Sequence, residues 1–317
     1  MANGCAQVCD CNMTLVNTGV GCTPIKKVEK ITWLMNQFNS AGALNYIDLT
    51  ITLSDSYFQA LLNNVDPLAR LYPLPPMVDI VDEREKPITY AYKDGTKRFV
   101  RNGVRSFAGM FPPESASPQL VGILEGGRCA NLCKFAIDAQ GTIWGRISDD
   151  GTKLYPVKLV AGSVAALWTN ETDSTPQMIG YSFDYHPSEQ DCQLRGLQQN
   201  QLVGDIYPQN YTGLIEVYAK LISASHAAGT VVVKLYDSFG SILSPETVKG
   251  LLAANFTLYD NTASSAVTFT VVESPQGTYT FTITGTVPAS GHTLTLTPNK
   301  NGFDFTNVVA TSLLMGA

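Results

Sequence analysis

Three stretches near the end of the chain constrain its fold most. Residues 267–271 (Val-Thr-Phe-Thr-Val), 278–283 (Thr-Tyr-Thr-Phe-Thr-Ile) and 293–296 (Thr-Leu-Thr-Leu) alternate apolar side chains with threonine. A strand points successive side chains to opposite faces, so a period of two buries one face and hydrates the other. Turn residues separate the stretches, at Pro275-Gln276-Gly277 and Ala289-Ser290-Gly291. Short strands at this spacing predict a two-sheet sandwich for the last third of the chain. The Cys…Trp…Cys spacing of antibody domains is missing, so an immunoglobulin-like domain is expected in architecture only. Within it, Ser244-Pro245-Glu246 reads as a helix start, with Ser as N-cap and Pro at the first helical position.

Upstream, residues 90–104 read as a meander about which the first two-thirds is organised. Asp94-Gly95 predicts a type I′ turn between strands rich in aromatic and β-branched residues, and Asn102-Gly103 offers a second turn. Before it, residues 31–35 alternate Ile31, Trp33 and Met35, and residues 44–53 form a second strand candidate. Residues 54–65 read as the one clear helix, with Ser54 as N-cap and Phe58, Leu61, Leu62 and Val65 on one face; Asp66-Pro67 ends it. Pro73, Pro75 and Pro76 make residues 71–77 extended and exclude them from a central strand. The mixed charges of residues 79–85 read as a solvated loop. A hairpin is expected at residues 135–147, with Trp144 in the core.

The fold class expected is therefore mainly β. Residues 1–24 read as an extended arm, residues 25–205 as a β-rich, two-sheet assembly domain with one helix, and residues 206–317 as the immunoglobulin-like sandwich. The second boundary follows a composition shift around Tyr207-Pro208. An arm of this kind costs ordering entropy and is worthwhile when it docks on another subunit.

Charge narrows the function. The chain carries 21 Lys and Arg against 27 Asp and Glu, a net −6, without long basic runs, which disfavours tight nucleic-acid binding. Only 15% of residues are charged, against about a quarter in typical domains, as expected either of a surface partly covered by neighbouring subunits or of an extracellular β domain, so composition alone does not choose. Neither a secretory leader nor a membrane-spanning run is read in the sequence, so synthesis and assembly in a cytoplasm are expected. Cys5, Cys9, Cys11 and Cys22 crowd the first 22 residues, but their spacing departs from paired C-x2-C zinc sites. Buried or subunit-facing thiols are preferred, with zinc kept open.

Catalytic signatures are missing: no nucleophile elbow, P-loop, H-E-x-x-H or dinucleotide fingerprint occurs. His186, near Asp184, Glu189 and Asp191, is the one metal-like grouping, weighed against an ordinary polar loop. Cys129 and Cys133 lack an adjacent base and read as core. The expectation is a non-enzyme without cofactor.

The order of arm, strands, helix, residues 93–107 (Lys-Asp-Gly-Thr-Lys-Arg-Phe-Val-Arg-Asn-Gly-Val-Arg-Ser-Phe) and residues 135–145 (Phe-Ala-Ile-Asp-Ala-Gln-Gly-Thr-Ile-Trp-Gly) resembles virion structural proteins of tailed bacteriophages. Tail tube proteins are the nearest class. The resemblance implies a homo-oligomeric ring, commonly of six subunits, stacked into a DNA channel within the virion, with other virion proteins as partners and no membrane. An acidic wall would let DNA pass without holding it. Subunit contacts are expected from the segments 1–24 and 66–82 and the 93–107 hairpin. The residues named for that role are Lys93, Asp94, Gly95, Lys97, Arg98, Arg101 and Arg105, with Pro73, Pro75 and Pro76. The alternatives are a capsid auxiliary or decoration protein and, from another class, a carbohydrate-binding surface adhesin.

Overall fold

The computed structural model describes residues 26–189, 193–241, 244–309 and 312–314. The chain divides into two units, with the boundary between Gly213 and Leu214. This lies later than the composition shift suggests, because Ile206 belongs to a core of the first unit and Tyr211 packs on Trp33. The expected arm and its four cysteines lie outside the described residues.

In the first unit the elements run β1 (Glu29–Asn36), β2 (Ile47–Asp48), α1 (Asp55–Leu62), β3 (Tyr72–Pro73), β4 (Val78–Arg84), β5 (Ile88–Ala91), β6 (Lys97–Arg101) and β7 (Arg105–Phe111). They continue as α2 (Pro118–Gly126), β8 (Leu132–Asp138), β9 (Ile143–Ile147), β10 (Lys153–Tyr155), β11 (Val157–Lys158), β12 (Ala165–Thr169), β13 (Met178–Asp184) and β14 (Leu194–Leu197). One sheet has the order β2-β10-β9-β8-β1-β3, with β11 on β8 and β14 on β9; a second has the order β12-β13-β7-β4.

The central strand β1 explains the layering. Ile31, Trp33 and Met35 face a core closed by Phe58 and Leu62 of α1. Leu34 faces the opposite way, into a core shared with Phe107, Phe111, Ile179, Tyr181 and Phe183 of the second sheet. The first sheet is therefore covered on both faces, by α1 on one side and by the second sheet on the other. Trp144 lies in the predicted β8–β9 hairpin and donates Nε1–H to Asp138 at 2.9 Å.

Several local expectations need correction. Helix α1 ends at Leu62, and Val65 is 93% exposed beyond it. Ser54 does not cap α1 with its side chain; its Oγ pairs with that of Ser56 at 2.8 Å. A second helix, α2, joins the one expected: Ser117 Oγ accepts from Leu120 N at 3.2 Å, and Pro118 opens the first turn. Residues 79–85 are mostly strand β4. Of the second strand candidate, only Ile47–Asp48 is strand.

The second unit holds β15 (Ile215–Ser225), β16 (Thr230–Ser241), β17 (Ser244–Thr247), β18 (Phe256–Asp260), β19 (Ser265–Val267) and β20 (Phe269–Glu273). These are followed by β21 (Thr278–Ile283), β22 (Thr293–Pro298), β23 (Phe303–Asp304), α3 (Thr306–Val309) and β24 (Ser312–Leu314). The sheets β20-β21-β16-β15-β23 and β19-β18-β22-β24 enclose one core of Val217, Val233, Tyr279, Phe281, Leu294 and Leu296, among others. This is the sandwich that the threonine alternation predicts. Ser244-Pro245-Glu246 is strand β17 paired to the end of β16, so the expected helix is absent there: pairing with the sheet overrides the local cap signal.

Candidate assembly surface

Strands β5 and β6 pair with each other in a sheet of their own. Residues 83–102 are exposed without exception. The meander therefore does not organise the unit; it projects from it as a tongue. Its turn also differs from the type I′ expected. Only Gly95 has positive φ, at +84°, and Asp94 does not. Tyr92 N–H donates to Thr96 O at 2.8 Å, and Gly95 N–H donates to Tyr92 O at 3.0 Å. This is the three-residue loop that ends in a left-handed glycine. Asp94 Oδ1 accepts from Thr96 N and Oγ1 at 2.9 and 2.7 Å, which fixes the loop from within and holds the carboxyl below its ordinary pKa.

The tongue is both apolar and basic. Tyr90 and Tyr92 meet edge to face at 5.2 Å on one of its sides, opposite Arg98 and Thr96 respectively. Tyr90 is 60% exposed and Phe99 57%. Over residues 86–101, Lys86, Lys93, Lys97, Arg98 and Arg101 stand against the single carboxylate Asp94, a net +4 in a chain of −6.

An ion-pair network fixes its base. Glu85 N–H donates to Val104 O at 2.8 Å, and a Cβ on Gly103 would lie 2.2 Å from Glu85 O, so that position requires glycine. Below this, Arg105 donates from Nε and Nη2 to the two oxygens of Asp82, each at 2.8 Å. Lys26 bridges Asp82 (3.2 Å) and Glu29 (3.4 Å). Lys134, fully buried, binds both oxygens of Glu29 at 2.9 Å and sits 4.0 Å from the centre of the Phe107 ring. Burial drives the lysine pKa down while the Glu29 charge pulls it back. For Asp82 burial acts upward, yet the Arg105 hydrogen bond with the charges of Lys26 and Arg105 overcomes it and holds the carboxyl at about 2.

The sheet bearing the tongue has a second exposed feature. Its inner face carries Phe107, Phe111, Ile179, Tyr181 and Phe183. On its outer face one row reads Val78–Met110–Gly180–Leu167 and the next Val81–Ala108–Ser182–Ala165. Leu167 is 71% exposed, and Val78, Val81 and Met110 are exposed beside it. Glu171 and Asp173 lie exposed in the turn that follows β12. Sequence reading misses this face, because the alternation within β7 shows that one side is buried but not which strands lie beside the other.

The residues expected at subunit contacts separate into two groups. Lys93, Asp94, Gly95, Lys97, Arg98 and Arg101 all lie on the tongue. Arg105 is held by Asp82 at its base. Pro73 is buried opposite Trp33, Pro75 is half-buried and Pro76 is exposed, so only Pro76 of the three is open to a partner. His186 Nδ1 pairs with Ser188 Oγ at 2.7 Å, and Glu189 lies 3.8 Å from Arg146. Among the described residues no group of three or more His, Cys, Asp and Glu gathers as for a metal; Asp191 is not among them. Cys133 is buried and its thiol is pushed up to about 12, mainly by burial, whereas Cys129 is exposed rather than in the core. No helix among the described residues is long and apolar enough to cross a membrane. Comparison of the chain with protein-family models, with curated proteins and with solved structures finds no match.

Proposed function

We propose that the protein is a structural component of a tailed-phage virion, a tail tube protein whose copies assemble into stacked rings around a DNA channel. One observation carries the self-assembly: an ordered tongue exposes Ile88, Tyr90, Tyr92, Phe99 and Val100 to solvent and packs none of them in a core. Exposed apolar patches of this kind mark interaction surfaces, and ordering a hairpin that buries little gains stability only when a partner covers it. The tube assignment itself rests on the sequence resemblance. In this reading the ring is commonly hexameric, and assembly occurs in the host cytoplasm.

Negative-stain electron microscopy with mass photometry of the purified protein tests this. Rings or hollow tubes are expected, together with their loss when residues 86–101 are replaced by a short Gly-Ser turn. Particles that only decorate pre-formed capsids would move the protein to the head as an auxiliary protein. Monomers without affinity for any virion component would end the assembly reading.

One observation favours the adhesin reading. On the sandwich, Tyr218 and Tyr236 stand directly opposite each other and stack at 6.0 Å and 24°, beside the opposed pair Lys220 and Lys234. Retention on a polysaccharide column, lost in Tyr218→Ala, would support it.

A further inference from the structure

We infer that the tongue of one copy docks on the outer face of the β12-β13-β7-β4 sheet of a second copy, at the corner marked by Leu167, Glu171 and Asp173. The inference rests on the self-assembly reading above and names the surface that receives the tongue.

Placement carries the argument. The tongue leaves the sheet at the edge strand β4, from the end where Arg84 faces Arg105. The acidic turn leaves the other edge strand, β12, from the end where Thr169 faces Met178. Along β13 these ends lie apart: Asp184 faces Ser106 near the tongue, and Ile179 faces Phe111 near the turn. The two features therefore occupy diagonal corners of one sheet.

Chemistry pairs them across copies. The tongue offers Lys97, Arg98 and Arg101 with Tyr90 and Phe99. The far corner offers Glu171 and Asp173, which form no ion pair among the described residues, beside Leu167 and Met110 on the exposed face. A basic, aromatic projection and an apolar face with acidic corner are complementary in both charge and polarity. Each copy carries one of each, on opposite edges of the sheet. Side-by-side docking is then head to tail, the heterologous contact that closes into rings or runs on as a filament.

A charge-exchange experiment tests the pairing. Lys97→Glu/Arg98→Glu reverses two charges of the tongue and brings it to neutrality, and Glu171→Lys/Asp173→Lys reverses the corner. All four residues are exposed, so both proteins should melt like the wild type when dilute. Each alone should need about tenfold or more protein to assemble, since like charges then face each other. Mixed in equal amounts, the two should recover assembly, and native mass spectrometry should show them alternating. A third variant, Leu167→Asp, should block assembly without a change in the melting temperature of the dilute protein. Wild-type protein that stays monomeric would overturn the assembly reading and this pairing with it. Wild-type protein that assembles while the mixture fails to recover would overturn the pairing alone. Complexes that stop at two copies, or a tongue that binds only added single-stranded DNA, would also overturn it.

Discussion

Asp82 joins three segments of the chain through its two carboxylate oxygens. It accepts from Arg105 at the start of β7, from Lys26 ahead of β1, and from Tyr185 Oη at 3.3 Å after β13. Its folded pKa of about 2 lies below the ordinary carboxylate value of 3.8. A depressed carboxyl contributes stability that is present above its unfolded pKa and is lost as pH falls through the folded one. The window is therefore about pH 4 down to pH 2, and the contribution at neutral pH is about 2 kcal/mol by linkage. Urea unfolding of Asp82→Asn against wild type should show a gap of that size at pH 7 that narrows as pH falls through the window. A gap that stays constant from pH 7 to pH 2 would place the stabilisation elsewhere. Nothing in the sequence around Asp82 announces this role. Its partners are 56, 23 and 103 residues away along the chain, and only the pairing of β4 with β7 and the packing of β1 against them brings these charges together.

At the scale of elements, two serines separate what local sequence shows from what it does not. Ser54 and Ser117 both precede helices with extended backbone, at ψ 169° and 149°. Only Ser117 turns its hydroxyl onto the helix. Ser117→Ala should therefore destabilise the first unit by about 1 kcal/mol. Ser54→Ala should have little effect, because its hydroxyl meets Ser56 instead. Thermal melts of the two variants decide this, and equal losses would mean that the helix ends do not differ as drawn. Strand period was the most readable signal: the threonine alternation predicts β21 and β22, the stretch 267–271 divides between the end of β19 and the start of β20, and the β8–β9 hairpin lies where its turn residues place it. Cap and turn chemistry was less readable. Ser244-Pro245 carries a helix-start pattern and sits in a strand, because β16 offers it a ladder. Asp94-Gly95 marks its turn correctly but not the turn's type. Of the candidate surface, the hairpin about Asp94-Gly95 was legible and subunit contacts are expected from the segment 93–107, but its exposure was not legible, since aromatic and β-branched strands read equally well as the centre of a sheet. The receiving face was not, since its rows join residues from β4, β7, β12 and β13, and such registers are invisible in a single sequence.

Two of the three cores belong to the first unit and one to the second, which implies two folding units at the scale of the whole molecule. Phe58, Trp33, Phe107 and Tyr181 serve only the first, and Val233, Phe281, Leu294 and Val308 only the second. A unit with its own core folds on its own when it buries enough apolar surface. The second has about a hundred residues, an ordinary size for a sandwich domain. Residues 214–317 expressed alone should therefore give a single cooperative transition near one of the two transitions expected for the full chain in calorimetry. The tongue bears on the same measurement from the other side. It sends no side chain into any of the three cores, so replacing residues 86–101 by a short turn should leave both transitions in place when the protein is dilute. In concentrated wild-type protein, association should raise the first transition by mass action, because only the folded unit presents both the tongue and the sheet that receives it. The same increase in concentration should leave the first transition of the tongue-deleted protein unchanged. A concentration-dependent rise in that variant would locate the subunit contact outside the tongue, whereas its disappearance with the tongue would tie assembly to this one hairpin.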